Sequence, residues 1–174
     1  FPNEQKYFDE FSIKTTYLGN PFFEKIAKNK ILKNKFNGDI CILLPGSRKK
    51  EIIFNLDVLL NSVNEINKRF KKLKWYLPTL NANKTYIISK LNEYKLQNCI
   101  KLINFDKDIR YIQNAKVAIA CSGTVTFELA LAGVPTIAIY KTDWLSAMIG
   151  KKIVNMKNVV LPNFIMEKQI IPFL

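Results

Sequence analysis

From residue 39 onward, short apolar runs alternate with longer stretches in which apolar residues return every three or four positions. The runs Asp39–Leu44, Lys74–Leu77, Cys99–Ile103, Lys116–Ala120 and Thr136–Tyr140 predict strands. Between and after them, Glu51–Phe70, Lys84–Tyr94, Asp108–Asn114, Thr126–Ala132 and Trp144–Val154 predict helices. The longest of these presents Ile52, Ile53, Leu56, Leu59, Leu60, Val63, Ile66 and Phe70, a face wide enough to lie on a sheet. Gly133 and Pro135 are the expected helix stop and strand start. Strands alternating with helices imply right-handed βαβ units, and hence an α/β chain with a doubly wound parallel sheet.

The flanks of this pattern differ from it. Asn3 to Phe11 is a polar, helix-like stretch, and Thr15–Leu18 has strand character that stops at Gly19-Asn20-Pro21. Phe22–Leu32 returns to helical spacing and leads through Lys33–Gly38 into the main pattern. At the far end, Val159–Met166 is apolar enough to pack on another element. The opening Phe1-Pro2-Asn3-Glu4 carries neither an initiator Met nor a signal pattern, as expected of a piece cut from a longer protein.

Composition narrows the chemistry. The 174 residues are 48% hydrophobic, enough for one sizeable core. The formal charge of +13 invites a nucleic-acid partner, but only Arg48, Arg69 and Arg110 are arginines and the other basic residues are dispersed lysines. No aromatic-basic RNA motif or recognition helix accompanies the charge, so nucleic acid is not expected. Histidine is absent, which removes Ser/His/Asp and Cys/His machinery and any histidine metal site. Cys41, Cys99 and Cys121 stand far apart beside apolar runs, as expected of buried free thiols in a reducing compartment. No apolar run reaches the roughly 18 residues of a spanning helix, because Glu128 interrupts the longest.

Ligands of open α/β sheets bind beyond the carboxyl ends of the strands, and two loops there stand out. Leu44-Pro45-Gly46-Ser47-Arg48 joins a strand to a helix, so backbone N–H groups, the helix dipole and a guanidinium meet at one point suited to an anion. Cys121-Ser122-Gly123-Thr124 repeats the design: Ser122 or Thr124 is placed to cap the next helix, Gly123 allows close approach, and Glu128 lies one turn further on. Glu128 is suited to accept both hydroxyls of a ribose. Neither G-x-G-x-x-G nor G-x-x-x-x-G-K-[ST] is present, which excludes a standard dinucleotide site or ATPase. Asp106 and Asp108 have the spacing of a divalent-cation pair, but without further oxygen ligands they are better explained as caps of the short helix after them. Trp144, Leu145, Met148 and Ile149 beside Lys151 and Lys152 suit packing, or a membrane surface.

Together, Leu44-Pro45-Gly46-Ser47-Arg48-x-x-Glu51, Ser122-Gly123-Thr124 with Glu128, and Leu161-Pro162-Asn163 resemble lipid-A-disaccharide synthases, and Tyr17-Leu18-Gly19-Asn20-Pro21 is similar to that family's interdomain segment. The resemblance implies a Rossmann-like GT-B fold and an inverting glycosyltransferase. The implied reaction moves 2,3-diacylglucosamine from its UDP derivative to 2,3-diacylglucosamine 1-phosphate, without metal or other cofactor. It places Gly46, Ser47 and Arg48 at the donor diphosphate, Ser122, Gly123 and Thr124 on the phosphate side, Glu128 at the ribose and Asn163 in the donor site. Alternative readings are an enzyme of the same architecture, a peptidoglycan N-acetylglucosaminyltransferase or a UDP-N-acetylglucosamine epimerase, or a non-catalytic nucleotide- or nucleic-acid-binding remnant.

By the same resemblance, residues 1–21 end an acceptor-side N-terminal domain, residues 22–38 connect, and residues 39–174 form a donor domain lacking its C-terminal tail. The general base is expected in the N-terminal domain, outside this chain. Asn20 stands where the family usually has His, which leaves no proton-transfer group at that position. The implied setting is the cytoplasm, with peripheral contact at the inner face of a bacterial inner membrane.

Overall fold

The computed structural model of the chain describes residues 4–19, 39–104, 115–141 and 159–174. The expected helices Phe22–Leu32, Asp108–Asn114 and Trp144–Val154, together with Asn20, Asp106 and Asp108, lie outside the described residues. Five strands form one parallel sheet: β1 (Ile40–Leu44), β2 (Lys74–Thr79), β3 (Ile100–Asn104), β4 (Val117–Cys121) and β5 (Thr136–Ile139). Their order is β3-β2-β1-β4-β5. The described helices are α1 (Gln5–Asp9), α2 (Lys49–Arg69), α3 (Lys84–Glu93), α4 (Thr124–Leu131) and α5 (Leu161–Ile165), with a 3-10 turn at Asn81–Asn83.

β1 is central and buried at every position. Alternate side chains leave a strand on opposite faces, so Ile40, Ile42 and Leu44 join Ala118, Ala120, Leu129 and Val134 on the α4 side. Cys41 and Leu43 join Leu56, Leu59, Leu60, Ile87 and Leu91 on the side covered by α2 and α3. Burying one such aliphatic side chain is worth about 1.5–3 kcal/mol. The 21-residue α2, with Ile52, Leu56, Leu59, Leu60 and Val63 all buried, is therefore held mainly by its packed face. Pro78 lies within β2, but the β1–β2 pairing covers only Lys74–Tyr76, so its missing N–H costs no bond to β1.

Chain order reverses between β1 and β4. From β1 the chain proceeds through α2 to β2 and then β3 on one side, whereas β4, β1's other neighbour, follows β3 in the chain and lies on the opposite side of β1. Leu44 pairs in register with Ala120, so the turns following these two strands emerge side by side. This is the switch point at which open α/β sheets leave a crevice.

Departures from the sequence expectation include two helix starts, one strand and Cys99, which lies just before β3 with an exposed thiol instead of a buried one. α2 begins at Lys49 because extended Arg48 is its N-cap, and α4 begins at Thr124 with Gly123 as its N-cap. Thr15–Leu18 forms no strand: a strand needs a ladder partner, and among the described residues this segment has none, only the Gln5 side chain donating to the Thr15 carbonyl. The C-terminal segment packs as its apolar content suggests. Val160 and Ile171 bury against Ala138, and Phe173 bridges to Ala138 along the outer edge of β5.

Candidate functional site

The turn after β1 is built around Glu51. Gly46 adopts φ +114°, a left-handed conformation that favours glycine, and turns the chain so that Glu51 folds back under it. Glu51 Oε2 accepts the Ser47 N–H at 3.0 Å and the Arg48 N–H at 3.1 Å. A carboxylate three residues into a helix that accepts the N-cap N–H is half of a capping box. The anion grip expected of this turn is thus already occupied, at these two donors, by the chain's own carboxylate. Arg48 Nη1 stands 3.4 Å from Glu51 Oε1, and its side chain is 85% exposed at the mouth of the site.

The turn after β4 is open by comparison. Neither Ser122 nor Thr124 caps α4, contrary to the sequence expectation. Ser122 precedes the N-cap, and its hydroxyl donates instead to the Val159 carbonyl at 2.7 Å, tying β4 to the segment before α5. Thr124 is already the first helical residue, too late to cap. Thr126, fully buried, donates its hydroxyl to the Gly123 carbonyl at 2.7 Å and fixes the turn from inside. Among the described residues no side chain caps this helix start, which leaves the positive end of its dipole facing the cleft.

The two turns face one cleft of about 660 Å³. Gly46, Ser47, Arg48, Ser122, Gly123, Thr124 and Glu128 all line it. Further walls come from Pro78, Thr79 and Leu80 after β2, from Asn83, and from Tyr140 after β5. Asn83 Nδ2 approaches the Ser47 carbonyl at 3.4 Å, joining the 3-10 turn to the β1 loop. Cys121 at the floor is buried, and burial, with the Glu51 charge as a smaller cause, pushes its thiol up to about 12. It is therefore neutral near pH 7 and no nucleophile.

Asn163 is not among the lining residues. Its Nδ2 donates to the Ile171 carbonyl at 2.8 Å, and its Oδ1 accepts the N–H groups of Ile170 at 2.9 Å and Ile171 at 2.8 Å. The side chain is buried and closes the C-terminal loop, so the expected donor-site residue is here a loop-holding one. Conversely, the sequence reading assigned no role to Glu51 or Tyr140. The spacing Arg48-x-x-Glu51 signals a cap once Arg48 is recognised as the N-cap, but nothing local to Tyr140 announces the cleft.

A model of the family described as lipid-A-disaccharide synthetase matches residues 1–174. The chain belongs to the lipid-A-disaccharide synthetase family. Among curated relatives named lipid-A-disaccharide synthase, that of Rickettsia conorii (strain ATCC VR-613 / Malish 7) is 33% identical over 178 residues, covering 98% of this chain and 39% of the relative. That of Rhodopseudomonas palustris (strain HaA2) is 31% identical over 162 residues, covering 90% and 41%. The chain thus spans less than half the length of these synthetase-family relatives. A solved structure of the GtfA/B complex superposes with a TM-score of 0.50 at 13% identity, covering 74% of this chain and 25% of that one. This last likeness concerns the fold, and agrees with the Rossmann-like sheet of this family member.

Proposed function

We propose that the chain is the donor-binding part of a lipid-A-disaccharide synthase, which transfers 2,3-diacylglucosamine from UDP-2,3-diacylglucosamine to 2,3-diacylglucosamine 1-phosphate and releases UDP. The observation that supports this most is the convergence of the β1 and β4 turns, with Arg48 and Glu128, on one cleft at the switch point of the sheet. The donor diphosphate lies between the uncapped start of α4 and the Arg48 guanidinium, because two α2 donors are engaged by Glu51. Ser47 and Gly46 shape that wall rather than supply its charge. Glu128 takes the ribose hydroxyls. Placing positive potential where UDP departs is this part's share of catalysis.

In this reading residues 1–21 close an acceptor-side domain, residues 22–38 connect, and residues 39–174 hold the donor. Acceptor, general base and any contact with the inner face of the membrane belong to the whole enzyme in the cytoplasm; the acylated donor reaches this cleft. Among the described residues no helix is long and apolar enough to cross a membrane. Titration calorimetry of the folded chain with UDP tests the reading. Saturable heat, with a raised melting temperature in UDP, is expected; a folded sample giving neither heat nor shift would refute it.

A further inference from the structure

α2 buries one polar residue, Asn55, in an otherwise apolar face, and its side chain is wholly inaccessible. A buried amide is costly unless hydrogen-bonded, and this one is bonded to two separate parts of the fold. Nδ2 donates to the Glu51 carbonyl at 2.8 Å, one turn earlier in α2. Oδ1 accepts the Lys141 N–H at 2.8 Å, and Nδ2 also lies 3.4 Å from the Lys141 carbonyl. Lys141 follows Tyr140, whose half-exposed ring forms the β5 wall of the cleft, while Glu51 organises the opposite, β1 wall.

We propose that Asn55 is a positioning residue for ligand binding: by tying the Lys141 backbone to the Glu51 turn, it holds the Tyr140 wall of the cleft in register with the Arg48 wall. β5 ends at Ile139, so beyond it the sheet no longer fixes the chain. The Tyr140 N–H reaches the Leu174 carbonyl only at 3.3 Å, whereas the Asn55 bond to Lys141 is 2.8 Å long and buried at its Asn55 end. An apolar residue at position 55 would fill the same space and satisfy the sheet packing. An amide at this position both donates toward α2 and accepts from the β5 exit, which no apolar side chain can do.

The inference rests on the UDP reading above, and the experiment separates the two. UDP affinity is measured by calorimetry for the unsubstituted chain, Asn55→Leu and Asn55→Asp, with amide exchange of Tyr140 and Lys141 followed by NMR. Asn55→Leu is expected to keep its helical circular dichroism, lose protection at Lys141 and bind UDP about tenfold more weakly. Asn55→Asp is expected to approach wild-type affinity at low pH, where a protonated carboxyl both donates and accepts, and to weaken as it ionises beside the Glu51 carbonyl. The affinity ratio of this variant to the unsubstituted chain removes the titration of UDP itself. A merely structural role would leave that ratio flat with pH. If Asn55→Leu does not fold, the Asn55→Asp pH profile decides alone. Wild-type affinity in a folded Asn55→Leu, or a flat ratio, overturns the positioning role while leaving the UDP site standing. Absence of UDP binding by the unsubstituted chain overturns the site, and the positioning role with it.

Discussion

Gly46 and Glu51 are built for each other. A Cβ placed on Gly46 would lie 2.6 Å from Glu51 Cβ and 2.7 Å from Oε2, closer than real Cβ contacts approach. The missing side chain at residue 46 is what allows the carboxylate to fold beneath the turn and accept the Ser47 and Arg48 N–H groups. The loop that first suggests a phosphate grip is therefore a self-capped turn that presents Arg48.

Gly46→Ala should destabilise the chain by about 1–3 kcal/mol, since it combines a strained positive φ with displacement of the Glu51 cap. Chemical denaturation would measure this as a lowered midpoint at unchanged slope. An unaltered midpoint would mean that the turn tolerates another geometry.

Arg48→Ala should leave stability within about 0.5 kcal/mol, because its ion pair with Glu51 is solvent-exposed and such pairs contribute little. UDP affinity should nevertheless fall roughly ten- to a hundredfold, from the loss of a charged hydrogen bond worth about 1.5–3 kcal/mol. Calorimetry together with a melting curve separates the two effects. Unchanged affinity would remove Arg48 from the site.

Asn163→Ala should cost about 2–3 kcal/mol, since it strips partners from the buried backbone groups of Ile170 and Ile171. The melting temperature would report it. A variant that melts normally but binds UDP weakly would return Asn163 to a ligand-contacting role.

Alkaline pH should weaken the fold through Cys121. An unfolded thiol ionises near the ordinary value of 9.0, whereas burial raises the folded one to about 12. Between these values the native state holds more protons than the unfolded state, so stability falls as pH rises, by about 1.4 kcal/mol per pH unit for this thiol. Lysines and tyrosines titrate in the same range, so the measurement is the difference in pH slope between the unsubstituted chain and Cys121→Ala. Equal slopes would show that the thiol ionises freely in the fold.

The strand and helix alternation and the parallel sheet follow from the pattern of apolar positions, and β1, apolar at every position rather than at alternate ones, is the kind of run that is buried on both faces. The place of the turns was equally local: Gly46, Arg48, Gly123 and Thr124 reveal themselves by their position between strand and helix. Only the tertiary structure decided which polar groups remain available. Ser122 turned to Val159, Asn163 to Ile170 and Ile171, and Glu51 to the turn before it, since a buried or sheltered polar group takes whichever partner the packing brings within reach. Asn55 shows the limit most plainly: it interrupts the apolar face of α2 in the sequence, but its partner Lys141, 86 positions away, is brought to it only by the sheet order that sets β5 beyond β4 and β1.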